Sequence, residues 1–198
     1  MIAKPVRGEQ GKGVLKIEGV DTPEYRELME LCKNTDYLIE EAISNHEDIA
    51  KFNPTSLNTV RAYTLVKKDG STEILTIMLR VGKLGSHVDN WGSGGIGYNF
   101  DVETGICVDY GRDKMNNPYI FHPGSGCKMI GYQLPQYAEL KDFITKMSQS
   151  VPTARFVGWD IAITPEGFEL VEMNCPGGHD FLQAFGKPFG DRLKKELC

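Results

Sequence analysis

The stretch from Asn58 to Val81, "NTVRAYTLVKKDGSTEILTIMLRV", constrains the fold more than any other part of the chain. It sets two runs rich in β-branched residues on either side of "KKDG". Such runs fit a pleated, half-buried surface, and a short Gly-ending turn between them makes them antiparallel neighbours. The device recurs. "GGIGYNFDVETGICVDYG" turns at "ETG", and "RFVGWDIAITPEGFELVEMNC" turns at "TPEG". Successive hairpins of this kind predict a largely antiparallel sheet.

The remaining segments predict helices and a smaller strand set. In "DTPEYRELMELCK" Thr22 can cap and Pro23 sit in the first turn, while Tyr25, Leu28, Met29 and Leu31 to Cys32 recur at helical spacing. "LPQYAELKDFITKMSQS" carries Tyr137, Leu140, Phe143, Ile144 and Met147 at the same spacing. "HEDIAKF" predicts a turn or two of helix before "NPTS" breaks it. At the N-terminus "MIAKPV" and "VLKIE" read as strands about the turn-forming "RGEQGKG", and "DYLIEEAI" is strand-like. The sequence contains no internal repeat, low-complexity tract or convincing linker. Helices therefore alternate with strands around an antiparallel core, and the class is α+β.

Composition removes several functions. With 198 residues and a net charge of −5, the chain can build one sizeable core or two small lobes, but it lacks the clustered lysine and arginine of a nucleic-acid surface. Cys32, Cys107, Cys127, Cys175 and Cys198 lie far apart without C-x-x-C spacing, which suggests neither a zinc knuckle nor a disulfide framework and fits a reducing cytoplasm. The sequence shows no signal-peptide pattern, and no apolar run reaches the ~20 residues of a membrane span. No nucleophile elbow or Cys–His constellation is evident, and the four histidines lie in separate loops.

Strand alternation puts Phe156, Gly158, Asp160 and Ala162 on one face, and Leu170, Glu172 and Asn174 on one face of the next strand. Asp160 and Glu172 can then meet. Two readings stay open: a hard-oxygen set suited to Mg²⁺ beside a phosphate, or ordinary solvent-facing residues of a half-exposed sheet. Lys4 on the first strand, followed by Gly8, Gly11 and Gly13, is compatible with a phosphate-covering loop whose missing β-carbons admit close approach, although a glycine-rich hairpin tip is more often only a turn. The stretch is not a Walker A sequence.

Taken together, "AKPVRGEQGKGV", "LIEEAI", "NPTSLNTVRAYTL", "MLRVG", "VDNWGSGGI", "GWDIAIT" and "VEMN", in that order, resemble the ATP-grasp superfamily and specifically its sugar-transfer associated group. The resemblance covers most of the chain. It implies an ATP-grasp domain over 1–198, with 1–42 the remainder of the ATP-binding lobe and 43–198 a C-terminal lobe bearing the metal and acceptor site. It implies that ATP lies between two α+β lobes, and that a small-molecule carboxylate becomes an acylphosphate attacked by an amine or sugar acceptor.

Carried onto this chain, the resemblance implies that Lys4 contacts the ATP phosphates and that the loop of Gly8, Gly11 and Gly13 closes over them. The backbone from Glu40 to Ile43 would read adenine, and Glu41 or Glu47 would hold the ribose. Asp160, Glu172 and Asn174 would ligate Mg²⁺. Arg61 and Arg80 would steady the transferring phosphoryl group, with Asp89 and Asn90 on the acceptor side. Such domains normally carry further sequence before the "KP" strand, which makes a truncated N-terminal lobe an expectation, and a basic residue often stands where this chain has Gly158. The implied function is an ADP-forming ligase in surface or extracellular polysaccharide assembly. The alternatives are a non-catalytic ATP-binding scaffold, or a kinase using the same fold.

Overall fold

The computed structural model describes residues 1–8, 12–178, 180–185 and 188–198. The chain divides into two compact units, Met1–Ser44 and Asn45–Cys198.

The first unit is a three-stranded antiparallel sheet with one helix. β1 (Ile2–Pro5) lies between β2 (Leu15–Lys16) and β3 (Tyr37–Glu40). Helix α1 (Pro23–Leu31) is capped as its sequence predicts, with the Thr22 hydroxyl accepting from the Tyr25 N–H at 3.3 Å. The core of this unit is small: Ala3, Ile17 and Leu28 are buried, with Leu15, Tyr25 and Tyr37 packed around them. Met29 and Leu31 share the helical spacing but are exposed.

The second unit is built on seven strands in the order β10-β9-β4-β5-β6-β7-β8, each pair antiparallel. Its centre is the "KKDG" hairpin, β4 (Thr59–Val66) and β5 (Thr72–Val81). β9 (Phe156–Thr164) and β10 (Gly167–Asn174) form the "TPEG" hairpin beside β4. The "ETG" hairpin is only half realised. β6 (Ile96–Phe100) forms, but its expected partner arm contributes one bridge, Phe100 to Cys107, and the sheet goes on through the two-residue strands β7 (Gly111–Arg112) and β8 (Pro118–Tyr119). The arm leaves the ladder because Cys107 bonds instead to its own downstream loop, its N–H donating to the Tyr132 carbonyl at 2.8 Å.

One face of this sheet holds the main core, which includes Val60, Ala62, Ile77, Leu79, Tyr98, Val157, Trp159 and Ile161. Helix α3 (Tyr137–Ser150) contributes Leu140 and Ile144 to it and packs on β4 and β5. The short α2 (Glu47–Ala50) adds Ile49, and the imidazole Nδ1 of His46 caps it by accepting from the Asp48 N–H. The opposite face is divided. Its lower part is a second apolar cluster of Tyr63, Leu65, Met78 and Phe156, closed by Phe181 and Leu182 of α4 (Asp180–Ala184) and by Phe189 before α5 (Gly190–Leu197). Its upper part is charged.

All five cysteines are free. Among the described residues, no helix is long and apolar enough to cross a membrane.

One buried group makes the fold pH-sensitive. His122 is 1% exposed, its Nδ1 lies 3.3 Å from Ser125 Oγ, and burial pushes its pKa below the ordinary 6.5. The unfolded chain binds a proton at that pH and the folded state resists it. Stability from this group is therefore complete above pH 6.5 and lost as pH falls below it. Thermal midpoints measured between pH 7.5 and about 5 should fall more steeply for the wild type than for His122→Gln. Equal slopes would exclude His122 as the cause.

Candidate functional site

The charged part of the sheet is assembled by register. Along β9, Val157, Trp159, Ile161 and Ile163 enter the main core, so Gly158 and Asp160 point to the other face. Residues directly opposite on paired strands share a face. Asp160 lies opposite Arg61 on β4 and opposite Glu172 on β10, while Gly158 lies opposite Asn174. Asp160 thus stands between an arginine and a glutamate.

The pairing with Glu172 depends on a β-bulge. Phe168 opposes Ile163 and Leu170 opposes Ile161, but the register then shifts so that Glu172 opposes Asp160 and Asn174 opposes Gly158. Val171 is the extra residue. Continued without it, the ladder would set Glu172 opposite Trp159, on the core face. Simple alternation, which puts Leu170, Glu172 and Asn174 on one face, is corrected at this point: Leu170 belongs with Ile161, and only the two polar residues join Asp160.

Arg61 grips Asp160 with two parallel hydrogen bonds, Nε donating to Oδ1 and Nη2 to Oδ2. Arg80, on β5, adds its Nη2 to Asp160 Oδ2 at 3.1 Å and lies 3.4 Å from Asp89 Oδ1. The Asp160 side chain is only 2% exposed and each arginine 11%, so solvent does little to screen these charges. Burial pushes the Asp160 carboxyl up, but Arg80 and Arg61 outweigh it and hold the group below the usual carboxylate range. Burial would lower the pKa of Arg61, yet its bonds to Asp160 raise it. Asp89 goes the other way: burial pushes it up further than Arg80 and Thr59 can offset, and nearby Asp160 adds to the rise.

The other expected site residues are placed as follows. Glu172 is exposed, and Asn174 is half-buried with its Nδ2 donating to the Gly158 carbonyl at 3.4 Å, which leaves its amide oxygen for another partner. Asp89 is buried beneath the arginines, accepting from the Thr59 N–H at 2.8 Å and from the Thr59 hydroxyl. It is therefore an internal anchor and not an open contact for an acceptor. Asn90 is likewise occupied, its Oδ1 capping the single 3-10 turn Trp91–Ser93 through the Gly92 N–H at 2.7 Å.

In the first unit, Lys4 pairs diagonally with Glu40 on β3 at 2.6 Å. Glu41 and Ile43 follow β3 in irregular chain, and Glu47, in the second unit, opens α2. Gly13 has φ +74°, a left-handed conformation that favours glycine, whereas Gly11 lies outside the described residues and Gly8 packs against Pro5. Gly158 has a packing role: a β-carbon there would lie 3.5 Å from Arg61 Cδ, and Gly177 crosses its strand closely enough for its N–H to reach the Phe156 carbonyl at 3.3 Å. The nearest neighbour to a β-carbon at 158 would be Tyr63 Cε1, at 3.3 Å.

Thr59 and Tyr63 also belong to the site and were not singled out by sequence reasoning. Tyr63 OH accepts from Arg61 Nη1 at 3.4 Å. Their signal was available, since both alternate with Arg61 along β4.

Two carboxylates and an amide oxygen on one sheet face fit a hard divalent cation chemically. Asp160 already accepts two N–H bonds from Arg61 and forms an ion pair with Arg80, but a carboxylate has about four lone-pair sites, so it is not saturated. Among the described residues, no group of three His, Cys, Asp or Glu side chains could hold a metal.

Removing the central carboxylate strands two buried guanidinium groups. Asp160→Ala should cost about 3–5 kcal/mol in urea unfolding, whereas exposed Glu172→Gln should stay within about 0.5 kcal/mol. A loss at Asp160 no larger than that at Glu172 would contradict the buried clamp.

A family model described as sugar-transfer associated ATP-grasp matches residues 1–194 of the chain. No curated protein matches it.

Proposed function

Because the chain belongs to the sugar-transfer associated ATP-grasp family, we propose that it is an ATP-dependent, ADP-forming carboxylate ligase serving surface or extracellular polysaccharide assembly. The observation that carries this reading is the convergence of Arg61 and Arg80 on Asp160, with Glu172 directly opposite. Fixed cations at the edge of a carboxylate set suit a reaction in which negative charge is handed from a phosphoryl group to a carboxylate.

In this reading Asp160, Glu172 and Asn174 hold Mg²⁺, which when bound neutralises the phosphate oxygens. Arg61 and Arg80 orient the γ-phosphoryl group and the substrate carboxylate. Their grip on Asp160 keeps them from collapsing elsewhere while the nucleotide is absent. Lys4 contacts the phosphates as a point charge, and Glu41 or Glu47 holds the ribose. The carboxylate oxygen attacks the γ-phosphorus, the β–γ bond breaks, and ADP leaves. An amine or sugar hydroxyl then displaces phosphate from the acylphosphate. The products are ADP and phosphate, not AMP.

Calorimetry tests the nucleotide site first. ATP binding should weaken at least tenfold on adding EDTA and in Glu172→Gln, an exposed position whose loss leaves the fold intact. Unchanged affinity in both cases would remove the metal assignment.

Turnover tests the reaction. With ATP, Mg²⁺ and a panel of amino acids, amino sugars and uronic acids, ADP release should depend on the acceptor and accompany a new amide or ester by mass. Arg61→Lys should lower kcat about 100-fold with a smaller change in ATP affinity, because the guanidinium acts on charge that grows in the transition state. A stable phosphorylated sugar would show a kinase, and firm ATP binding with no ADP from any acceptor would show a binding module.

A further inference from the structure

We propose that Thr59 and Asp89 are positioning residues that aim Arg80 at the reacting phosphoryl group, and that "NPTSLNT" is the clamp that keeps Asp89 in place. This rests on the ligase reading above.

Thr59 Oγ accepts two hydrogen bonds from Arg80, Nε at 3.1 Å and Nη2 at 2.7 Å. A hydroxyl has a single proton, and here it is committed, because the same oxygen donates to Asp89 Oδ2. Asp89 Oδ2 also accepts the Thr59 backbone N–H at 2.8 Å, so the carboxylate is fixed against the strand itself. The proton of Thr59 must point to Asp89, its lone pairs must point to Arg80, and one edge of the guanidinium is thereby set. Arg61 needs no such device, since Asp160 grips it through two nitrogens at once. Arg80 reaches Asp160 through Nη2 alone.

Asp89 comes from a loop, not a strand, and the loop is held by the segment preceding Arg61. Asn53 Nδ2 donates to the carbonyls of Gly82 and Lys83 at 2.9 and 3.0 Å. Asn58 Oδ1 accepts from the Gly82 N–H at 3.2 Å and from Ser56 Oγ at 2.7 Å, and Leu57 bridges to Val88. Asn53, Ser56, Asn58 and Thr59 are all buried, and Asn53, Asn58 and Thr59 each direct a polar group at this loop. The loop closes tightly: a β-carbon at Gly82 would lie 2.6 Å from the Val88 carbonyl oxygen, and one at Gly95 2.3 Å from that of Asp89. These contacts press Asp89 onto Thr59.

The test compares Thr59→Val, which keeps the shape and removes the hydroxyl, with Thr59→Ser, which keeps the hydroxyl. Nitrogen-15 NMR of the arginine side chains should show a slowly exchanging Arg80 Nε–H in the wild type and in Thr59→Ser, and its loss in Thr59→Val. Acceptor-dependent ADP release should fall about 10- to 100-fold in kcat in Thr59→Val, with ATP KM nearly unchanged, and recover in Thr59→Ser. An Arg80 signal that survives Thr59→Val overturns the positioning role. So does a lost signal with unchanged kcat, or a kcat loss that Thr59→Ser shares. A wild-type protein that releases no ADP overturns the ligase reading alone, and the arginine spectra still decide how Arg80 is held.

Discussion

The carboxylate of Asp160, buried between two guanidinium groups, is the interaction on which the second unit depends. An isolated charge at that depth would cost several kcal/mol, and its attraction to a partner compensates only when the geometry is good. Here the geometry comes from adjacent strands. Arg61 lies directly opposite Asp160 in the ladder, and Arg80 arrives from the next strand, so both arginines reach it from a rigid sheet. The pairing also constrains register. Trp159 and Asp160 are neighbours in sequence and lie on opposite faces, one in the core and one in the charged cluster. Slipping β9 by one residue would carry the carboxylate into the core and the indole out of it, losing on both faces at once.

Those two faces divide the work. The core face is apolar and continuous, and the single indole N–H that enters it is satisfied by Thr64 Oγ at 2.8 Å. The other face combines a charged region with the apolar cluster closed by Phe181, Leu182 and Phe189. Gly97 joins these parts: its missing β-carbon admits the Phe181 ring, which would otherwise lie 2.4 Å from it. The C-terminal segment can therefore cover the lower sheet without displacing Arg80, which is the residue opposite Gly97.

Much of this was legible in the sequence, because period-two runs and short turns act locally. The "KKDG" and "TPEG" hairpins, the cap of α1 and the inward stripe of α3 follow from rules spanning a few residues. What escaped were non-local decisions. The second arm of the "ETG" hairpin bonds to a loop some 25 residues downstream, a competitor that no local pattern announces. The bulge at Val171 left no mark in composition, yet it decides which face Glu172 occupies. The role of Asp89 was hidden for the same reason. A loop aspartate beside glycines reads as an exposed contact, and its burial against Thr59 is fixed by side chains from 30 residues away.

The bulge and the clamp answer different halves of one geometrical problem. Glu172 and Asn174 share a face with Asp160 and the two guanidinium groups, although the edge strand that supplies them also supplies Phe168 to the core. An unbroken alternation cannot do both, since Phe168, Glu172 and Asn174 are separated by even numbers and would fall on one side. Inserting one unpaired residue lets the beginning of β10 serve the core and its end serve the charged face. On the other flank, Arg61 is aimed by its directly opposed partner, while Arg80, one strand further out, requires a second anchor, and the loop bearing Asp89 supplies it. The charged face is thus the product of regular sheet at its centre and one deliberate irregularity on each side.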